Sequence, residues 1–362
     1  MREPGTDPKP GNGTNRASPT LPLFATTLAG SLPKPKWLAE PEKLWAPWKL
    51  EGEALAEGKR DAVRLAVAML ERAGIDILSD GEQTRRHFVN GYMEKLQGID
   101  FKNLKTVRIR NRYDADVPRV VDRVARPFPV HTEDAKLLRA CTDRAIKFTL
   151  PGPMTMVDTL HDEHYGSREK LAMAFAEILN LEARELAAAG VDVVQFDEPA
   201  FNVYFDEVRD WGVAALMRAR EGVPCKTAVH ICYGYGIEAN NAWKKTLGDE
   251  WRQYERTFPL LAQSKIDQVS LECANSHVPI ELIELLEGKD VLVGCIDVAN
   301  PKVEQPEDVA KVIRAAMKHV PKERLFPCTN CGMVPLAREV AAGKLAALGA
   351  GAAIVRREIT GL

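Results

Sequence analysis

Eight short apolar runs, most of them followed by a polar turn and a longer segment of helical period, constrain this chain more than any other feature. The runs are LFATTLAG from Leu21 or Leu23, IDILSDG from Ile75, IKFTLPGP from Ile146, VDVVQFDEP from Val191, KTAVHICYG from Lys226, IDQVSLECA from Ile266, VLVGCIDVA from Val291 and RLFPCTNCG from Arg324. Nearly continuous apolar runs mark strands buried on both faces, which is the signature of a parallel sheet covered by helices. The helices are written between them. Asp61 to Ala73 carries Val63, Leu65, Ala66, Met69 and Leu70 and stops at Gly74, Arg168 to Ala189 stops at Gly190, and Pro306 to His319 opens on Pro-Glu-Asp. The fold class is therefore α/β, and at this length the eight units predict a closed (β/α)8 barrel of the TIM type. An open doubly wound sheet is the alternative, weakened because no Gly-x-Gly-x-x-Gly turn follows the first run.

Two segments exceed a minimal barrel. Phe101 to Phe128, with VRIRNRY and RVVDRVARPF, predicts a β-hairpin inserted after the second strand. Trp37 to Glu57 is a long first loop whose three tryptophans (Trp37, Trp45, Trp48) read as packing. Both leave from strand ends, where barrels carry their active-site loops. Residues 1–20, rich in Gly, Pro, Asn, Thr and Ser, read as a disordered tail, and 21–362 as a single domain.

The scattered lysines and arginines and a formal net charge of -2 over 362 residues exclude a nucleic-acid or membrane-surface binder. No apolar run reaches the roughly 20 residues of a membrane helix, and the first residues lack a signal-peptide core, so the expected location is cytoplasmic. Seven cysteines without a secretory signal are no disulfide framework. Cys141 and Cys225 have no histidine or carboxylate for company.

If the eight runs are barrel strands, their carboxyl ends bring Ser31, Asp80 and Glu82, Asp197 and Glu198, His230 and Cys232, Glu272, Asp297, Cys328 and Cys331 to one mouth. Side chains alternate along a strand, so His230 and Cys232 share a face. Imidazole and thiolate are good zinc ligands, and with Glu272 and the Cys328/Cys331 pair they can satisfy a tetrahedral zinc. Spacing alone leaves two arrangements: a closed His-Cys-Cys-Cys structural site, or one cysteine of that pair plus the exchangeable Glu272. Cys273 points away from Glu272 and reads as core. Asp80-Gly-Glu82 and Asp197-Glu198 add carboxylates suited to a cationic group such as an α-amine.

With these residues in place, the sequence resembles the catalytic barrel of the cobalamin-independent methionine synthase family. The segments TTLAGSLP, SDGE, LPGPMT, QFDEPA, VHICYG, SLE, GCIDVANP and CTNCG stand in the family's order from about residue 26 to 335. The resemblance implies zinc bound by His230, Cys232, Glu272 and Cys331, with Cys328 outside the site. It implies that Ala29, Gly30, Ser31, Glu82 and Asp197 hold L-homocysteine, which is methylated on sulfur to L-methionine. The chain resembles the short, single-barrel form of the family.

Three departures concern the methyl donor. Thr159 stands where the family has a tryptophan stacked on folate, Val203 where it has a folate-contacting glutamate, and Ala299 where it has a proton-donating histidine. The thiol-activating set is intact while the donor set is not. A tertiary amine leaves poorly unless protonated, so Asp297 is the candidate substitute acid for methyl-tetrahydrofolate. A methylated corrinoid, brought by a partner protein or free, needs no such proton. His87, His161 and His164, near inserted loops, are further candidate acids. The rival readings are a zinc-dependent alkyl transferase acting on another thiol and a non-catalytic protein with a structural zinc.

Overall fold

The computed structural model describes residues 20–45, 47–110 and 112–361, so the expected tail lies outside the described residues apart from Thr20. Seven parallel strands form one curled sheet: β1 (Ile77–Leu78), β4 (Ala145–Pro151), β6 (Val193–Asp197), β7 (Lys226–His230), β8 (Gln268–Glu272), β9 (Asp290–Ile296) and β10 (Leu325–Thr329), adjacent in that order. β4, β6, β8 and β10 are buried at every residue, as their apolar runs require.

The first apolar run closes this sheet without being a regular strand. The carbonyl of Thr26 accepts the amides of Asp76 and Ile77 at 3.2 and 2.9 Å, and the amide of Thr27 donates to the carbonyl of Pro327 at 3.0 Å. The ladder is broken because side chains take its other bonds: Thr26 donates its amide and hydroxyl to Asp76 Oδ2, and the amide of Ala29 donates to Thr329 Oγ1. Ala25, Ile77, Ala145, Val193, Ala228, Leu292, Phe326 and Cys328 pack as one buried cluster apart from the larger core. That ring of inward side chains is the filled interior of a barrel.

The predicted hairpin is present, running from Gln97 to Ala125 where the expectation was Phe101 to Phe128. β2 (Gln97–Ile109) and β3 (Tyr113–Ala125) pair antiparallel, and β5 (His161–Asp162) adds to β3 at Arg119 and Val120. The predicted first helix is the carboxyl-terminal part of Gly52–Arg72, whose opening turns are mostly exposed and so carry no apolar period. The helix Arg168–Ala188 is capped by Ser167, which accepts the Lys170 amide at 3.3 Å, and Pro306–Ala316 carries a capping box of Gln305 and Asp308. No helix among the described residues is long and apolar enough to cross a membrane.

Gly152, directly after β4, is required by a close approach. A Cβ there would lie 2.1 Å from the Glu198 carboxyl carbon, and that carboxylate is fixed by the amides of Met154 and Thr155 and the Thr155 hydroxyl at 3.0, 2.9 and 2.7 Å. Since Glu198 cannot swing away without losing all three, Gly152→Ala is expected to destabilise the fold by about 3 kcal/mol. A denaturant midpoint unchanged from the parent would contradict this packing.

Candidate active site

The strand ends place three potential ligands together. His230 ends β7, Cys232 follows two residues on, and Cys331 lies in the turn after β10; one donor atom from each falls within 4.8 Å of the other two, and all three residues are buried. His230 Nδ1 meets Ser270 Oγ at 2.7 Å, which leaves Nε2 buried with no hydrogen-bond partner. The two sulfurs are 3.4 Å apart. The hydrogen bond from Cys331 and the imidazole of His230 hold the Cys232 thiol well below its usual range despite burial. Cys331 is pushed well above it, first by that same hydrogen bond and then by burial. An orphaned imidazole nitrogen beside two cysteine sulfurs fits a thiophilic, four-coordinate dication such as zinc, with three protein ligands and a further position to fill.

Glu272 ends β8 outside that triplet. Its Oε1 accepts the Tyr233 amide at 2.7 Å and its Oε2 lies 3.5 Å from Lys244 Nζ, on the helix Glu238–Lys244. Burial pushes its carboxyl up to about 7, with Lys244 opposing. Cys328 is separated from Cys331 by a register shift between Cys328 and Thr329 and sits in the barrel interior with Ala25 and Phe326.

A cavity of about 320 Å³ opens above the triplet, and Ala29, Gly30, Glu82 and Asp197 line it with His230, Cys232 and Cys331. Ser31 sits at its edge, Oγ 3.5 Å from the Tyr235 hydroxyl. Glu82 is held at φ 59°, a left-handed conformation rare for a non-glycine residue, and its Oε1 accepts the Thr149 hydroxyl at 3.0 Å. A Cβ at Gly30 would stand 3.4 Å from that same oxygen, so a larger residue would crowd it. The parallel register sets Asp197 beside His230. Its Oδ1 accepts Gln195 Nε2 at 2.7 Å, and Gln195 Oε1 in turn accepts Lys147 Nζ at 2.8 Å. Burial pushes the Asp197 carboxyl up to about 7, the Lys147 ammonium down to about 8.

The other carboxylates at the mouth have different partners. Asp80 is ion-paired to the buried Arg85, both of its oxygens within 3.2 Å, and Glu198 holds the backbone after Gly152. Asp297 accepts the Ala299 amide at 2.8 Å and Asn275 Nδ2 at 3.3 Å and does not line the cavity. Of the candidate acids, His87 does line it. Its Nδ1 accepts the amides of Val89 and Asn90, fixing the Nε2–H tautomer, its ring stacks on Trp45 at 4.6 Å, and burial lowers its pKa to about 3. His161 lies on β5 and pairs with Glu163.

Sequence reasoning missed Gln195, Lys147, Lys244 and the hairpin-tip arginines. Gln195 was legible, since it stands two residues before Asp197 on the same strand face. Arg110 and Arg112 were not, because local spacing does not tell where a hairpin tip comes to rest.

Comparison with known proteins agrees with this geometry. A family model described as "Cobalamin-independent synthase, Catalytic domain" matches residues 24–353. The methionine synthase of Thermococcus kodakarensis is 33% identical over 94% of this chain and 95% of its own length, and that of Sulfurisphaera tokodaii 31% identical over 94% of each. A solved B12-independent methionine synthase from Shewanella sp. W3-18-1, in complex with selenomethionine, superposes with a TM-score of 0.92 at 63% identity, covering 94% of this chain and all of that one. Strand order, the thiol-and-imidazole cluster and these matches lead to one conclusion: the chain belongs to the cobalamin-independent methionine synthase family, in its catalytic domain.

Proposed function

We propose that this methyltransferase, a single cytoplasmic catalytic domain over residues 21–362, makes L-methionine by moving a methyl group onto the sulfur of L-homocysteine. The observation that carries the reading is the meeting, in one cavity, of two opposite functions: His230, Cys232 and Cys331 to engage a thiol, and Glu82 and Asp197 to take an ammonium. His230, Cys232 and Cys331 would hold a zinc ion, with Glu272 as the exchangeable fourth ligand. Bound there, zinc supplies a Lewis acid that keeps the acceptor thiol deprotonated near neutral pH. Ala29 and Gly30 line the cavity with Glu82, Ser31 reaches toward Tyr235, which also lines it, and the Lys147–Gln195 hydrogen-bond chain orients Asp197.

The donor in this reading is methyl-tetrahydrofolate or a methylated corrinoid. For an amine leaving group Asp297 is the proposed acid, and its place outside the cavity favours a donor that leaves without a proton. Cys328 in the barrel interior argues against a closed structural zinc, which would need it as a ligand.

The test is methionine formation by the zinc-loaded protein from L-homocysteine, with each donor in a separate reaction. Methionine appearing in step with thiol loss is expected. No product, together with no calorimetric binding of L-homocysteine, would overturn the reading.

A further inference from the structure

Lys244, the last residue of the helix Glu238–Lys244, does not line the cavity, yet its charge stands beside the metal-ligand set. Three contacts fix the ammonium. Its Nζ donates to the Gly234 carbonyl at 3.3 Å, stands 5.7 Å from the centre of the Trp251 ring, and lies 3.5 Å from Glu272 Oε2. The helix that carries it is held as well. Arg112 stacks on Trp243 at 3.3 Å and donates to Asn240 Oδ1 at 3.1 Å, while the Tyr233 ring packs against Trp243 and Trp251 at 5.9 and 5.0 Å.

The partner of this charge is buried. The Glu272 side chain is 3% exposed, and a carboxylate so placed that gave up a dication would be left as a bare charge in a dry setting, which is strongly unfavourable. Here it is not left bare. The Tyr233 amide, 2.7 Å from Oε1, and the Lys244 ammonium facing Oε2 give the carboxylate one protein partner for each oxygen. A fourth ligand with such an alternative can be displaced by an incoming thiolate.

We infer that Lys244 is a positioning residue for ligand exchange: it receives the Glu272 carboxylate when the acceptor thiolate takes that ligand's place. It thereby weakens zinc binding and strengthens thiol binding. The inference rests on the proposed function, in which Glu272 is the fourth ligand, and goes beyond it by naming what makes that ligand exchangeable. In the exchange a carboxylate oxygen leaves the ion, a thiolate sulfur joins it, and the thiol proton passes to solvent. One anionic ligand replaces another, so the charge on the ion's ligand set is unchanged. The sign of the effect separates this role from ordinary support. Removing a partner that only oriented Glu272 toward the ion would lower zinc affinity, whereas removing one that competes with the ion raises it.

The test compares the zinc-loaded full chain with Lys244→Gln, Lys244→Arg and Glu272→Gln. Zinc affinity is read by competition with a chromophoric chelator, L-homocysteine and L-methionine binding by calorimetry, and sulfur ligands by zinc X-ray absorption. Glutamine keeps a donor for the Gly234 carbonyl and removes the charge. Lys244→Gln is expected to bind zinc at least about threefold more tightly and L-homocysteine about tenfold more weakly. It should also need more L-homocysteine before the sulfur count rises from the two of Cys232 and Cys331 to three. Lys244→Arg, which keeps the charge, is expected to lie near the parent, and L-methionine, which has no thiol, to bind both Lys244 variants as it binds the parent. Unchanged or weaker zinc binding in Lys244→Gln overturns the inference. So does an equal loss of L-homocysteine and L-methionine, which would place Lys244 on the amino acid itself. Glu272→Gln is expected to weaken zinc binding; zinc affinity at the parent value there would sink the fourth-ligand reading. Weakened zinc in Glu272→Gln beside parent behaviour in Lys244→Gln would sink the role of Lys244 alone.

Discussion

Cys331→Ser is expected to empty the metal site and stop methyl transfer, while Cys328→Ser keeps both. The two cysteines stand three residues apart, yet a register shift turns one into the barrel interior and the other toward Cys232, sulfur to sulfur at 3.4 Å. A serine hydroxyl is a weak zinc ligand because it resists deprotonation, and the substitution also removes the sulfur whose hydrogen bond lowers the Cys232 pKa. Loss of outer-shell partners alone costs roughly 10–100-fold in metal affinity, so losing a direct ligand should cost more than about 100-fold. Zinc content after dialysis and the rate of methionine formation are the paired measurements, with circular dichroism to establish folding. Retained zinc in Cys331→Ser, or lost zinc in Cys328→Ser, would move the site to the other cysteine.

How much of this was legible in the sequence differs from element to element. Seven of the eight apolar runs are strands, because a strand buried on both faces writes its burial into every residue. The run at Leu23 closes the barrel without a regular ladder, since the threonines that make it read as a strand send side chains to Asp76 and Ile77 instead. At the site, period-two spacing brought His230 and Cys232 together, and the same rule brings Gln195 to Asp197. Whatever depends on an insertion was not legible. Lys244 draws on Glu272 from a helix after β7, and Arg112 reaches the cavity from a hairpin between the second and third barrel strands. Their contacts join residues distant in sequence, and no local period encodes such a pairing. Motif reading also overcounted: Asp80 and Glu198 look as available as Glu82 and Asp197, but Arg85 and two backbone amides take them.

That division of labour among four carboxylates sets the second large effect. Glu82→Gln with Asp197→Asn is expected to erase the protein's preference for an α-amino thiol over the same thiol without the amine, 4-mercaptobutyrate. Both side chains are buried, both line the cavity, and each has one oxygen already accepting a hydrogen bond from the protein, Thr149 for Glu82 and Gln195 for Asp197. The Thr149 hydroxyl and the Gln195 amide therefore fix each carboxylate before substrate arrives. Burial drives Asp197 up to about 7, and an incoming ammonium favours its charged form, so amine and carboxylate stabilise each other. Charge-assisted hydrogen bonds contribute about 1.5–3 kcal/mol each, which makes each substitution worth about 10- to 100-fold in KM for L-homocysteine. The amide variants keep size and one acceptor, so the fold and the zinc content should hold and KM for 4-mercaptobutyrate should change little. If the double variant still prefers L-homocysteine by the parent margin, the amine is recognised elsewhere. If single variants at Asp80 produce the loss instead, the Arg85 pair is opening to admit substrate, contrary to the arrangement in which Arg85 holds both Asp80 oxygens.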